Sequence, residues 1–219
     1  MRLYRYSSNR NNNALNVLGN IRIGTLHDFR RDEHKRGIAD AWEGRKIVHH
    51  HIDNLLEGPN SARNQQAMSA FNVIRHADPS RPGNMVNIGV GIEFNELDCY
   101  VHCTSYRLSK EVMQEFDGTE SCLEIANPRG FYDRLTESMG KLVSIHEESF
   151  KLEAVRYQPR IEQYNFRDWG DDAAYIKDEE FKGQFEIRAT WLPKSRSEIL
   201  KPVILNDVGL VQYCKIIEL

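Results

Sequence analysis

Apolar and polar residues alternate with the period of a strand in several short runs of this chain. Arg2–Tyr6 (RLYRY) sets Leu3 and Arg5 on one face and Arg2, Tyr4 and Tyr6 on the other, which predicts a short first strand. Ser7–Asn13 supplies turn and N-cap residues, and Ala14, Leu15, Val17 and Leu18 then predict a short helix stopped by Gly19-Asn20. Strands are expected at Ile21–Leu26, Met85–Phe94, Cys99–Tyr106 and Ser121–Ala126, with Gly89 and Gly91 marking a bulge or a close backbone approach. Ser109 can cap a helix running through Phe116, and Asn127-Pro128 opens a longer one that Met139-Gly140 ends. Later strands are predicted at Lys141–His146, Lys151–Tyr157, Phe181–Trp191, Lys201–Leu205 and Leu210–Glu218.

Between these elements lie segments without a clear period. His27–Gly44 is dense in charge and reads as loop with a turn of helix; its Asp40 and Glu43 flank Ala41-Trp42, a grouping equally suited to a site lining or to a solvated connection. His49-His50-His51 tempts a metal reading, but neighbouring side chains on an extended chain point in opposite directions and no acid or cysteine stands at a fitting spacing. Asp53–Asn84 is polar and bounded by prolines, with a helix expected over Ser61–His76, and reads as a surface insertion. Tyr164–Lys177 is an irregular acidic and aromatic stretch that runs up to the strand at Phe181. With no repeat or linker, the chain predicts one α+β domain over residues 1–219, with a mixed or antiparallel split sheet and a few short helices.

Composition narrows the function classes. Over 219 residues, 40% hydrophobic and 28% charged is the balance of a globular domain. The formal charge of −3, from 29 basic and 32 acidic residues, provides no bulk attraction to nucleic acid, so any such contact needs a local patch. No run reaches membrane-spanning length and MRLYRYSSNR lacks the apolar core of a secretory signal, so a cytosolic protein with no membrane partner is expected. Cys99, Cys103, Cys122 and Cys214 do not form two close pairs and are expected to be buried and reduced.

The chemistry concentrates in FKGQFEIRATW, residues 181–191. On a strand, Gln184, Glu186 and Arg188 share one face, with the carboxamide and carboxylate roughly 6–7 Å apart along the backbone. Alternation of this kind also describes the wet face of any antiparallel strand. Gln184-Phe185-Glu186 resembles the Gln-x-Glu element of ADP-ribosyltransferases. Cys103-Thr104-Ser105 is similar to that family's Ser-Thr-Ser element with a cysteine in first place, and Arg5 on the first strand fits the arginine of the Arg-Ser-Glu class. A Tyr-Arg-Tyr start, a Gly-Thr-Leu strand and the Asp40/Glu43 loop also resemble an uncharacterised bacterial and phage family.

The resemblance implies NAD as the cofactor, held by Arg5, Tyr6, Thr104, Ser105, Asp40 and Glu43. It makes Glu186 the catalytic carboxylate that stabilises charge on the ribose, and Gln184 the residue that orients the acceptor. A Gln-x-Glu pair further implies transfer to a carboxamide side chain or a nucleobase, hence a protein or nucleic-acid acceptor, in a toxin or a phage–host conflict factor. Cys103 in place of serine, with no Gly-rich phosphate loop, points instead to a degenerate transferase-like fold used as a binding or sensor module.

Overall fold

Leu3 is fully buried at the start of β1 (Leu3–Ser7), and the rest of the domain is laid down around that strand. The computed structural model describes residues 1–31, 37–73, 83–167, 169–170, 172–195 and 200–219. Ser8 caps α1 (Asn9–Leu18) by accepting from the Asn11 N–H, and Gly19 ends it at φ 66°, so the helix starts earlier than its apolar residues suggest. There follow β2 (Asn20–Thr25), the long hairpin strands β3 (Arg45–Asn54) and β4 (Val86–Asn95) with α2 (Ser61–Ala70) between them, then β5 (Tyr100–Ser105) and α3 (Lys110–Gln114). β6 (Ser121–Ile125) leads into α4 (Pro128–Leu142), which buries Phe131, Tyr132, Leu135 and Met139, residues spaced to form one helix face. The chain closes with β7 (Lys151–Ala154), β8 (Arg156–Tyr157), β9 (Ile161–Gln163), β10 (Ile176–Lys177), β11 (Glu186–Trp191), β12 (Val203–Asn206) and β13 (Cys214–Ile217).

The result is a mixed α+β domain with few helices, built on an eight-stranded antiparallel sheet. The sheet packs one face on α1 and α4 through Leu3, Leu15, Ile23, Leu123, Leu135 and Trp191. At its centre β5 is paired differently on its two edges. One edge runs against β11 from Tyr100 to Ser105, whereas the other meets β2 at Tyr100 and Val101 and β1 only at Ser105. Strands β1 and β2 therefore diverge, and His102–Thr104 keep no strand partner on that edge among the described residues. The gap between them is what makes a cleft possible.

Several expectations change. Lys141 and Leu142 finish α4, whose ladder closes with the Val143 N–H on the Met139 carbonyl at 2.8 Å, and Ile145 makes only an isolated bridge to Pro193. A 3-10 turn occupies Val208–Tyr213, so the last strand begins at Cys214. α2 stops at Ala70, and the predicted helix residues from Ile74 on lie outside the described residues. The 53–84 segment begins inside β3 and ends where β4 starts, so it tips a hairpin, with Ala67 and Phe71 packed on Val48 and Tyr164. The β3–β4 register runs without a bulge; Gly91 instead permits a close approach, since an added Cβ would sit 3.2 Å from the Val48 carbonyl oxygen.

The stop at Gly19 joins α1 to the far end of the sheet. Asp207 donates its N–H to the Gly19 carbonyl at 3.0 Å, and a Cβ on Gly19 would lie 1.8 Å from the Asp207 carbonyl oxygen. Gly58 has a similarly positive φ of 90° with open space around it. Gly58→Ala is expected to cost only the left-handed penalty of about 1–2 kcal/mol, and Gly19→Ala clearly more; urea unfolding of the two variants checks the difference.

Candidate active site

The cleft between β1 and β2 has a volume of about 380 Å³, within the range usual for small-molecule sites. Its lining comes from β1 (Tyr4, Arg5, Tyr6), from β5 (Val101–Ser105), from the turn at Asp117–Thr119, and from Glu43, Lys177, Glu186 and Arg188. Residues paired directly across antiparallel strands present their side chains on the same face. The pairs Glu186↔Ser105 and Arg188↔Cys103 thus share one face of the sheet, while Thr104 and His102 share the other with Ile187 and Ala189, which are in the core. Arg5, two residues from buried Leu3, also lies on the core side, and the split lets both faces reach one cavity.

Glu186 sits in a buried charge cluster. Its Oε1 accepts from Arg188 Nε at 2.8 Å and its Oε2 from Lys177 Nζ at 2.9 Å, and Arg188 Nη1 reaches Glu43 at 2.7 Å. Arg188 also donates to the Ala174 carbonyl, and Tyr157 Oη accepts the Glu186 N–H at 2.7 Å. Burial by itself would raise the Glu186 carboxyl, but Arg188 and Lys177 overcome it and hold the group well below the usual carboxylate range. Burial works against both cations in the same way, and the charges of Glu186 and Glu43 keep them above their ordinary values. The Cys103 thiol is pushed well up by burial and by the Glu186 charge it faces, so it is a weak hydrogen-bond donor to that carboxylate and not a thiolate.

No family model, curated protein or solved structure matches the chain.

Of the residues singled out from sequence, Arg5, Tyr6, Thr104, Ser105, Glu43 and Glu186 line the cleft. Arg5 donates to Asn12 Oδ1 at 2.8 Å, and burial lowers its guanidinium to about 10. Tyr6 is committed to the turn after β5, donating to the Arg107 carbonyl at 2.8 Å and accepting from the Ser109 N–H. Thr104 donates to the Ile187 carbonyl at 3.3 Å on the face away from Glu186, and Ser105 closes a turn with Arg107. Asp40 and Gln184 stand behind the lining. Asp40 is buried against Arg160, and its Oδ1 accepts from the Trp42 N–H at 2.9 Å.

Gln184 is not on the strand. A 3-10 helix spans Glu179–Gln184, Phe185 takes a left-handed φ of 48°, and β11 starts at Glu186. The carboxamide meets Glu186 only through Lys177, whose Nζ lies 2.9 Å from each. Lys177 itself gave no signal in the sequence, being a single lysine closing an irregular segment. Among the described residues no cluster of three metal-ligating side chains occurs. His49 and His51 are exposed, and His50 is buried on Asn64 Oδ1 at 2.9 Å.

Breaking a buried cluster of this kind leaves charge without a partner. Arg188→Met strips Glu43 of its ion pair and Glu186 of one of two, and is expected to destabilise the protein by about 3–5 kcal/mol, measured by urea unfolding. The acid limb carries a second expectation. Because the Glu186 carboxyl lies below its ordinary 4.5 in the folded protein, its contribution is complete above that pH and is lost as pH falls through the folded value. The urea midpoint should decline below pH 4.5 less steeply in Glu186→Gln than in the wild type.

Proposed function

We propose that the cleft binds NAD and that the protein is an ADP-ribosyltransferase. The observation that carries this reading is the convergence of β1, β5 and β11 on one cavity, with Arg5, Cys103, Ser105 and Glu186 all in its lining. Arg5 is the group suited to the phosphates: its planar fork can hold two phosphate oxygens, and at about 10 it stays charged at neutral pH. Glu186 supplies negative charge from a buried position, where a fixed carboxylate stabilises a developing cation far better than solvent does. Cys103 takes the place of the serine that would orient this carboxylate, its weak thiol donor acting where a hydroxyl would act more strongly. NAD, when bound, supplies the ADP-ribosyl group and its nicotinamide leaving group.

A second reading, a binding or sensor module on the same cleft, draws support from Glu186 itself. The carboxylate is already paired with two cations, Arg188 and Lys177, so it has less charge to offer a substrate than a singly paired carboxylate would. The two readings differ in turnover and not in binding.

Calorimetry is expected to detect NAD binding, weakened by about 1.5–3 kcal/mol in Arg5→Ala if a charge-assisted contact is lost. Nicotinamide release is expected from the wild type and roughly 10²-fold less from Glu186→Gln at similar NAD affinity, with circular dichroism confirming that the variant is folded. Binding without release selects the sensor; neither binding nor release sinks both.

A further inference from the structure

Gln184 bridges a wall of the cleft to Lys177. Its Nε2 donates to the Gly37 carbonyl at 2.8 Å across 147 positions of sequence, and its Oε1 accepts from Lys177 Nζ at 2.9 Å. Lys177 in turn reaches Glu186 Oε2 at 2.9 Å. Gln184, Lys177 and Glu186 are all buried, and Gly37 and Ile38 line the cleft while Gln184 does not. A side chain with both amide ends engaged on protein groups has little left to offer an acceptor. Rotating it outward would leave the Gly37 carbonyl and one Lys177 N–H without partners in a buried setting, which is costly for each orphaned group.

The backbone around it is built for this contact. Gly37 has φ 84°, and a Cβ there would lie 2.0 Å from the Glu115 carbonyl oxygen, so the wall approaches its neighbour as closely as backbone can. On the other side, the left-handed Phe185 separates Gln184 from the strand and turns its amide toward Gly37 while Glu186 enters the sheet. Such a conformation in a bulky residue is costly and persists only where its surroundings enforce it.

We infer that Gln184 is a positioning residue, a latch that fixes the Gly37–Ile38 wall and Lys177 relative to Glu186, and that it does not select the acceptor. Its consequence for transfer rests on the NAD reading above; the latch itself does not.

Hydrogen exchange on the ligand-free protein tests it directly. The Asp40 N–H donates to the Phe29 carbonyl at 2.9 Å and reports on the wall, and the His146 N–H, on the Leu192 carbonyl at 3.0 Å, is a distant control. Gln184→Met should raise Asp40 exchange about tenfold, the size expected for losing one or two buried hydrogen bonds, and leave His146 unchanged. Should that variant not fold, Gln184→Asn, which keeps the amide but falls short of Gly37, carries the same expectation. In the transfer reaction either variant should raise the KM for NAD and leave the acceptor preference unchanged. Unaltered Asp40 exchange in a folded variant, or a changed acceptor preference at an unchanged KM for NAD, overturns the latch. Absence of NAD turnover in the wild type removes the transferase reading and leaves the exchange result to decide this one.

Discussion

A guanidinium cannot be taken out of water alone, and Arg188, fully buried in the middle of β11, is the charge that the site is arranged to neutralise. It draws Glu43 from the loop before β3, Glu186 from two positions back on its own strand, and the Ala174 carbonyl from the segment before β10. Lys177 adds a second cation to Glu186, and Gln184 ties Lys177 to Gly37. Two stretches distant in sequence, residues 37–43 and 174–188, are thereby fixed against each other. The desolvation cost of so many charges is large, and a well-packed apolar cluster of the same volume would hold the chain as well or better. A polar cluster retained at that cost, and facing a cavity, is the pattern expected of a functional site.

The cavity has a separate origin, in strand pairing. β5 gives one edge wholly to β11 and divides the other between β1 and β2, so the sheet opens where both neighbours leave it. Helix α1 links the two diverging strands, and its Asn12 joins Arg5 on one side to Ser121 on the other, at 2.8 Å in each case. Arg5 consequently approaches the cleft from the helix side and Glu186 from the opposite face. In a continuous sheet those two side chains would be separated by the backbone layer. His102 completes the floor: its Nδ1 pairs with Tyr132 Oη at 3.1 Å, and burial together with the nearby Arg5 charge lowers it to about 3, so it stays neutral throughout the physiological range.

The Gln-x-Glu pair illustrates how local pattern and tertiary structure divide the work. As a strand it predicts two headgroups side by side on one face. The headgroups do come close, but through Lys177, because Phe185 breaks the extended backbone between them. The resemblance sets Thr104 among the residues that hold the cofactor, and the β5–β11 register turns it to the face away from Glu186 and leaves Ser105 and Cys103 on the side of the carboxylate. Asp40, expected in the lining, is held one layer back by Arg160, a residue with no feature in the sequence that marks it as a partner.

The sequence by itself determined what depends on short-range periodicity and capping. That covers the α+β class, the strands β1, β2, β4, β5 and β6, the cap at Asn127-Pro128, the stop at Gly19, and the alternation that buries His50 between exposed neighbours. These follow from the backbone geometry of a few adjacent residues, which composition and spacing encode directly. Only the tertiary structure decided the divergence of β1 and β2, the left-handed turn at Phe185 and the recruitment of Lys177 and Glu43 to Arg188. Each depends on contacts between residues far apart in sequence, such as Gly37 with Gln184, where the burial of charge selects partners and no local pattern records the choice.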